Sequence, residues 1–182
     1  SQNSGLSIER YWNLEEEALI PAEEAEEGFR SHLEQIIDWE TRSDVPVGIL
    51  FSGGMDSSAL LALMSRRLGR GIPAFSYAFH HEDYDQSRFM KPVIDCFKST
   101  HDVSYLEPEE FWDDFSDTLW FQEEPTGSIT ITAFKKVFQG ISDAGVGVVL
   151  TGNGLDELLA GYRPYHEAYL ADLLDIGSPL LA

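Results

Sequence analysis

The segment Val45–Gly69, VPVGILFSGGMDSSALLALMSRRLG, joins an apolar, β-branched run to a leucine-rich helical pattern through Ser52-Gly53-Gly54-Met55-Asp56-Ser57-Ser58. Gly53 and Gly54 permit backbone torsions closed to other residues and let a ligand approach the main chain. A helix beginning at Ser57 or Ser58 would aim unpaired N–H groups and its positive dipole end at the joint, a setting that favours phosphate. Ser52, Ser57 and Ser58 add hydroxyl donors. Asp56 would repel a phosphate unless a Mg2+ lay between them. The simpler alternative is a tight strand-to-helix turn with Asp56 as its cap. Two other phosphate or nucleophile motifs do not fit. A Walker A loop needs a lysine that is absent here, and a nucleophile elbow needs glycine where Leu50 stands.

Elements that would position this loop alternate along the chain. Pro21 opens a helical pattern with Ala22, Ala25, Phe29, Leu33, Ile36 and Ile37 on one face. VPVGILF is apolar on both faces, as a buried parallel strand is. Leu60, Leu61, Met64 and Leu68 form the inner stripe of the next helix. Ile72–Phe79 reads as a second strand, residues 87–97 as a helix containing Pro92, and HDVSYL as a third strand. Pro108 starts another helix, EEPTGS breaks it, and a further helix carries Ala133, Phe134, Val137, Phe138 and Ile141. Val146–Gly152 reads as a fourth strand, followed by helical LDELLAGYRPYHEAYLADLLD. This alternation predicts right-handed βαβ crossovers: an α/β, doubly wound parallel sheet in a single domain over residues 21–182, with residues 1–20 as a linker or N-terminal extension.

Composition narrows the function. The 182 residues suffice for one α/β domain with a full core, and 43% hydrophobic with 24% charged residues is ordinary for a globular protein. No apolar run approaches the roughly 20 residues needed to span a bilayer, so no membrane partner is expected. A net charge of −20 disfavours nucleic acid as a partner, because that needs a basic face. If a polyanion such as ATP binds, backbone amides and a divalent cation must do most of the work. The acidic runs at Glu15–Glu17 and at Glu23, Glu24, Glu26 and Glu27 read as solvated helix faces. Cys96, the one cysteine, rules out an internal disulfide and reads as a small buried apolar residue; a cytoplasmic location is expected. His80, His81, Glu82 and Asp83 read as a polar loop, since adjacent side chains at a strand end point apart.

SGGMDSS resembles the pyrophosphate loop of the PP-loop ATPases. RSDVPVGILFSGGMDSS, YDQSRF, QEEPTGSITITAF and LTGNGLDELLAGY, in that order, resemble the synthetase domain of the asparagine synthetase and β-lactam synthetase family. The resemblance implies an adenine nucleotide α-hydrolase-like sheet of order 3-2-1-4, with both glycine-containing loops at its switch point. It also implies ATP-dependent amide synthesis, in which a substrate carboxylate is adenylated, pyrophosphate leaves, and an amine or ammonia displaces AMP. Carried over residue by residue, Ser52, Gly53, Gly54 and Ser57 hold the pyrophosphate. Leu50, Tyr77, Thr151 and Gly152 line the adenosine site, and Asp56 and Asp156 face one another across Mg2+. The implied partners are a small carboxylate substrate, aspartate among them, and a glutaminase domain or other ammonia source elsewhere in the parent protein.

The sequence departs from the pattern at Asn153, where asparagine synthetases carry an acidic residue and β-lactam synthetase a tyrosine. Asparagine takes up no proton near neutral pH. Ala160 stands where the family usually has glycine, and the C-terminal part of the family domain, with the lysine that meets the departing pyrophosphate, is expected beyond residue 182. The isolated chain is therefore expected not to complete amide synthesis. A catalytically silent nucleotide-binding or interaction module with the same fold is the alternative.

Overall fold

The computed structural model describes residues 8–13, 21–79, 87–105, 107–128 and 130–175. Glu15–Glu17, the His80–Asp83 cluster, the first half of YDQSRF and the closing GSPLLA lie outside the described residues. In chain order the elements are α1 (Ala22–Glu40), β1 (Val47–Leu50), α2 (Met55–Leu68), β2 (Ala74–Ala78), α3 (Ser87–Phe97), β3 (His101–Tyr105), α4 (Phe111–Gln122), α5 (Thr130–Asp143), β4 (Val148–Leu150), α6 (Leu155–Leu158) and α7 (Arg163–Asp175). The chain divides into two compact units, Ser1–Leu33 and Glu34–Ala182. In the first, Arg30 meets Glu26 at 3.1 Å and Glu27 at 3.8 Å, and the acidic run from Glu23 is exposed to solvent as expected.

The second unit is built on four parallel strands in the order β3-β2-β1-β4. Period-two alternation decides which helix covers which face. Val47, Ile49 and Phe51 pack with Leu61 and Met64 of α2, Met90 and Ile94 of α3, and Ile37. Leu50, Phe75 and Tyr77 point the other way, against Val137 and Ile141 of α5. Strands apolar on both faces thus carry a helix layer on each side. Burying an aliphatic side chain as fully as Ile49 or Leu61 contributes about 1.5–3 kcal/mol. The chain steps from β1 to β2 to β3 in one direction, and β4 then pairs with the opposite edge of β1. The loops after β1 and β4 therefore leave the same end of the sheet, side by side.

Several boundaries differ from the sequence reading. α2 begins at Met55 with Gly54 as its N-cap, so Ser57 sits within the first turn and neither Ser57 nor Ser58 begins the helix. α4 begins at Phe111, with Pro108 in the turn before it. The run after β4 is not one helix. Leu159–Tyr162 separates α6 from α7, and Ala160 takes a left-handed φ of 54° that ends the first helix. Cys96 is exposed rather than buried, because it lies on the outer side of α3. Among the described residues no helix is long and apolar enough to cross a membrane.

Candidate functional site

The loop after β1 is held by its own hydroxyls. The Ser52 and Ser57 Oγ atoms lie 3.0 Å apart, and the Ser52 N–H donates to Ser57 Oγ at 3.3 Å. The Gly54 N–H donates to Ser52 Oγ at 3.2 Å, and Ser57 Oγ donates to the Gly54 carbonyl at 3.3 Å. Ser57 is buried, so its hydroxyl turns back into the loop. Gly53 has φ 77°, and a Cβ there would come within 2.9 Å of Met90 Cγ. Both facts require glycine. No side chain caps Gly54, which leaves the first amides of the 14-residue α2 for an anion.

The loop after β4 reaches the first through glycine as well. A Cβ on Gly152 would lie 3.1 Å from Asp56 Cβ and 3.2 Å from the Ser57 nitrogen, so the two main chains touch here. The Asn153 N–H donates to Thr151 Oγ1 at 3.0 Å, and Gly154, with φ 94°, opens α6. Asp156 is fixed from behind. The Gly161 N–H donates to its carbonyl at 2.8 Å, and a Cβ on Gly161 would overlap Asp156 Oδ1 at 1.9 Å. Tyr162 donates to Glu157 Oε1 at 3.2 Å, and the charge of Glu157 pushes the phenol pKa up.

Together the loops line one cavity of about 700 Å3, within the roughly 300–1,000 Å3 range of small-molecule sites. It contains Leu50, Ser52, Asp56, Ser57, Tyr77, Thr151, Gly152, Asn153 and Asp156. Of the sequence candidates Gly53, Gly54 and Ser58 do not line it; the two glycines shape the loop instead. Sequence reasoning did not single out Ser76, Met90, Phe134 or Tyr162, which also line the cavity. For Phe134 and Tyr162 the signal lies within the matched segments, since they end QEEPTGSITITAF and LTGNGLDELLAGY; Ser76 and Met90 lie outside every matched segment.

Electrostatics constrain what the cavity can hold. Asp56, Asp156 and Glu157 line it, and no lysine or arginine does among the described residues. Lys135 lines a neighbouring cavity of about 430 Å3, but Asp114 at 3.0 Å and Asp117 at 2.9 Å engage its ammonium and hold its pKa up. Among the described residues no group of three or more His, Cys, Asp or Glu could hold a metal by itself. Two carboxylates plus ligand phosphates match how Mg2+ is commonly held, so the residues fit a cation that arrives with a polyphosphate.

Comparison with known proteins bears on the family and the fold. A family profile for asparagine synthase matches residues 28–177. A protein of Methanocaldococcus jannaschii assigned as a glutamine-hydrolyzing asparagine synthetase 2 is 34% identical over 134 residues, covering 73% of this chain and 26% of that protein. The amidase chry2 of Gibberella zeae is 25% identical over 183 residues, covering 90% of this chain and 27% of the amidase. The chain thus spans about a quarter of the length of the curated relatives it matches. The NH3-dependent NAD synthetase of Campylobacter jejuni shares the fold, with a TM-score of 0.50 at 16% identity, over 75% of this chain and 60% of that one. The parallel sheet of order β3-β2-β1-β4, the two touching glycine loops and the matched profile lead to one conclusion: this chain belongs to the asparagine synthase family.

Proposed function

We propose that this chain binds ATP with Mg2+ and forms the adenylating site of an amide-forming ligase. The observation that carries the reading is the contact of Gly152 with Asp56 and Ser57, which puts Asp56 and Asp156 into one cavity beside an uncapped helix start. The α2 amides and the Ser52–Ser57 loop hold the pyrophosphate portion. Leu50, Tyr77, Thr151 and Gly152 receive the adenosine. Asp56 and Asp156 would hold Mg2+, which would neutralise phosphate charge that no lysine or arginine among the described lining residues meets. A carboxylate oxygen of the substrate attacks the α-phosphorus, and the bond to the bridging oxygen breaks. Pyrophosphate leaves with that electron pair. The nitrogen of ammonia or an amine then attacks the acyl carbon and displaces AMP. This chain's contribution is positioning and charge neutralisation. Asn153 cannot take the proton released in that last step, so another base or water accepts it. Small carboxylates, aspartate among them, are the substrate class, and a glutaminase or free ammonia supplies the nitrogen.

Calorimetric titration with ATP and AMP, each with and without Mg2+, tests the reading. Weak AMP binding that ignores Mg2+, and ATP binding that requires it, is the expected pattern. Absence of binding for both at millimolar nucleotide contradicts it. A silent module would bind in the same way, and the parent protein would then release no pyrophosphate from ATP with any carboxylate.

A further inference from the structure

One partly buried polar network, which has no part in the nucleotide contacts, adjoins the cavity. Ser76 of β2 is 4% exposed and lines the cavity, and its Oγ donates to the carbonyl of Phe51, the residue immediately before Ser52. The same Oγ lies 2.8 Å from Nε2 of His101, the first residue of β3. His101 does not line the cavity. Its ring instead meets Phe51 edge-on, with centroids 5.9 Å apart. The Phe51 N–H donates to the Phe75 carbonyl at 2.8 Å, so both backbone groups of Phe51 are held by β2 residues.

Proton counting orients the network. A serine hydroxyl has one hydrogen, and a carbonyl only accepts. If Ser76 donates to Phe51, then Nε2 of His101 must carry a hydrogen and donate to Ser76. We propose that His101 is a positioning residue for the nucleotide loop, donating Nε2–H to Ser76 so that the Ser76 hydroxyl stays aimed at the Phe51 carbonyl and fixes where Ser52 begins. Burial of the ring, which holds its pKa below the ordinary imidazole range despite Asp102 beside it, agrees with a neutral ring in this role. The inference rests on the nucleotide reading, because the loop it positions is the phosphate loop of that reading.

Two measurements on the intact chain test it. In 15N-detected imidazole spectra, His101 should show a protonated Nε2 and an unprotonated Nδ1 near pH 7.5. The opposite tautomer would mean that Ser76 donates to the ring, and would overturn the proposal whatever the variants do. In calorimetry, H101L should weaken ATP and AMP alike by about tenfold, the scale of a lost buried hydrogen bond, while H101Q, which keeps an N–H donor, should stay within about twofold. S76A should match H101L, and the double variant S76A/H101L should lose no more than either. If wild type and H101L bind nucleotide equally, the inference fails and the nucleotide reading stands. If wild type binds none, both fail. Equal weakening of H101L and H101Q would show that the ring packs against Phe51 and positions nothing by hydrogen bonding.

Discussion

The loops after β1 and β4 meet across the sheet's switch point but are held by different means. The first runs from a buried strand into the 14-residue α2, is cross-linked by Ser52 and Ser57, and rests on Leu61 and Met64, both fully buried. The second leaves the three-residue β4, enters the four-residue α6 with no buried residue, and ends at Ala160 in a left-handed conformation. One loop is fixed by the core beneath it. The other is fixed by glycines that let it touch the first and by the Gly161 N–H on Asp156. If both contribute one aspartate to the same cation, their different support predicts different responses to the same kind of substitution.

The largest difference should appear on truncation of apolar side chains. Leu61→Ala should cost about 2–5 kcal/mol in a denaturant titration, since the fully buried site leaves a cavity under the first loop. Leu158→Ala, 79% exposed on the second, should stay within about 0.5 kcal/mol. Equal losses would show that α6 is supported as firmly as α2.

A backbone pair should give effects of opposite sign. Gly53→Ala puts a Cβ at φ 77° against Met90 and should destabilise by about 1–2 kcal/mol, with weaker nucleotide binding. Ala160→Gly relieves a left-handed alanine at φ 54° and should stabilise by up to about 1 kcal/mol, less the entropy that glycine loses on folding. Loss of stability in the second variant would show that the Ala160 side chain has a packing role.

The smallest effect concerns pH. The folded state holds the His101 pKa below its ordinary value, chiefly by burial, with Asp102 opposing. Below the ordinary imidazole value of about 6.5 the unfolded chain binds the proton more readily than the folded one, so stability falls as pH drops from about 7 toward the lower folded value. Thermal unfolding between pH 7.5 and 5.5 should show this component in wild type and lack it in H101Q. An identical pH dependence in both would place the sensitivity in the carboxylates.

The difference between the loops also marks what was legible in the sequence. VGIL, LLALM and AFSYA carry their periodicity locally, so the strands and helices around the first loop could be read directly. Sheet order followed from the resemblance of four segments and not from periodicity, because pairing is a long-range choice. Hydroxyls suggest caps, which shifts the expected start of α2 from Met55 to Ser57 or Ser58, whereas Ser57 turns its hydroxyl back onto the Gly54 carbonyl. The break after α6 was missed because Ala160 favours helix intrinsically. The left-handed Ala160 and the Gly161 N–H reaching the Asp156 carbonyl reveal the turn. Ser76 and His101 are 25 residues apart and become a pair only when β2 lies beside β3.

The central claim is that the two unlike loops each supply one carboxylate to a single cation on ATP. Calorimetry of Asp56→Asn and Asp156→Asn against Mg2+–ATP and against AMP tests it most directly, because AMP lacks the phosphates that the metal would hold. Each variant should lose the Mg2+-dependent part of ATP binding, at least about tenfold or 1.4 kcal/mol, and keep AMP binding within about twofold. If ATP and AMP weaken together in either variant, that aspartate supports its loop rather than a cation, and the shared metal site is wrong.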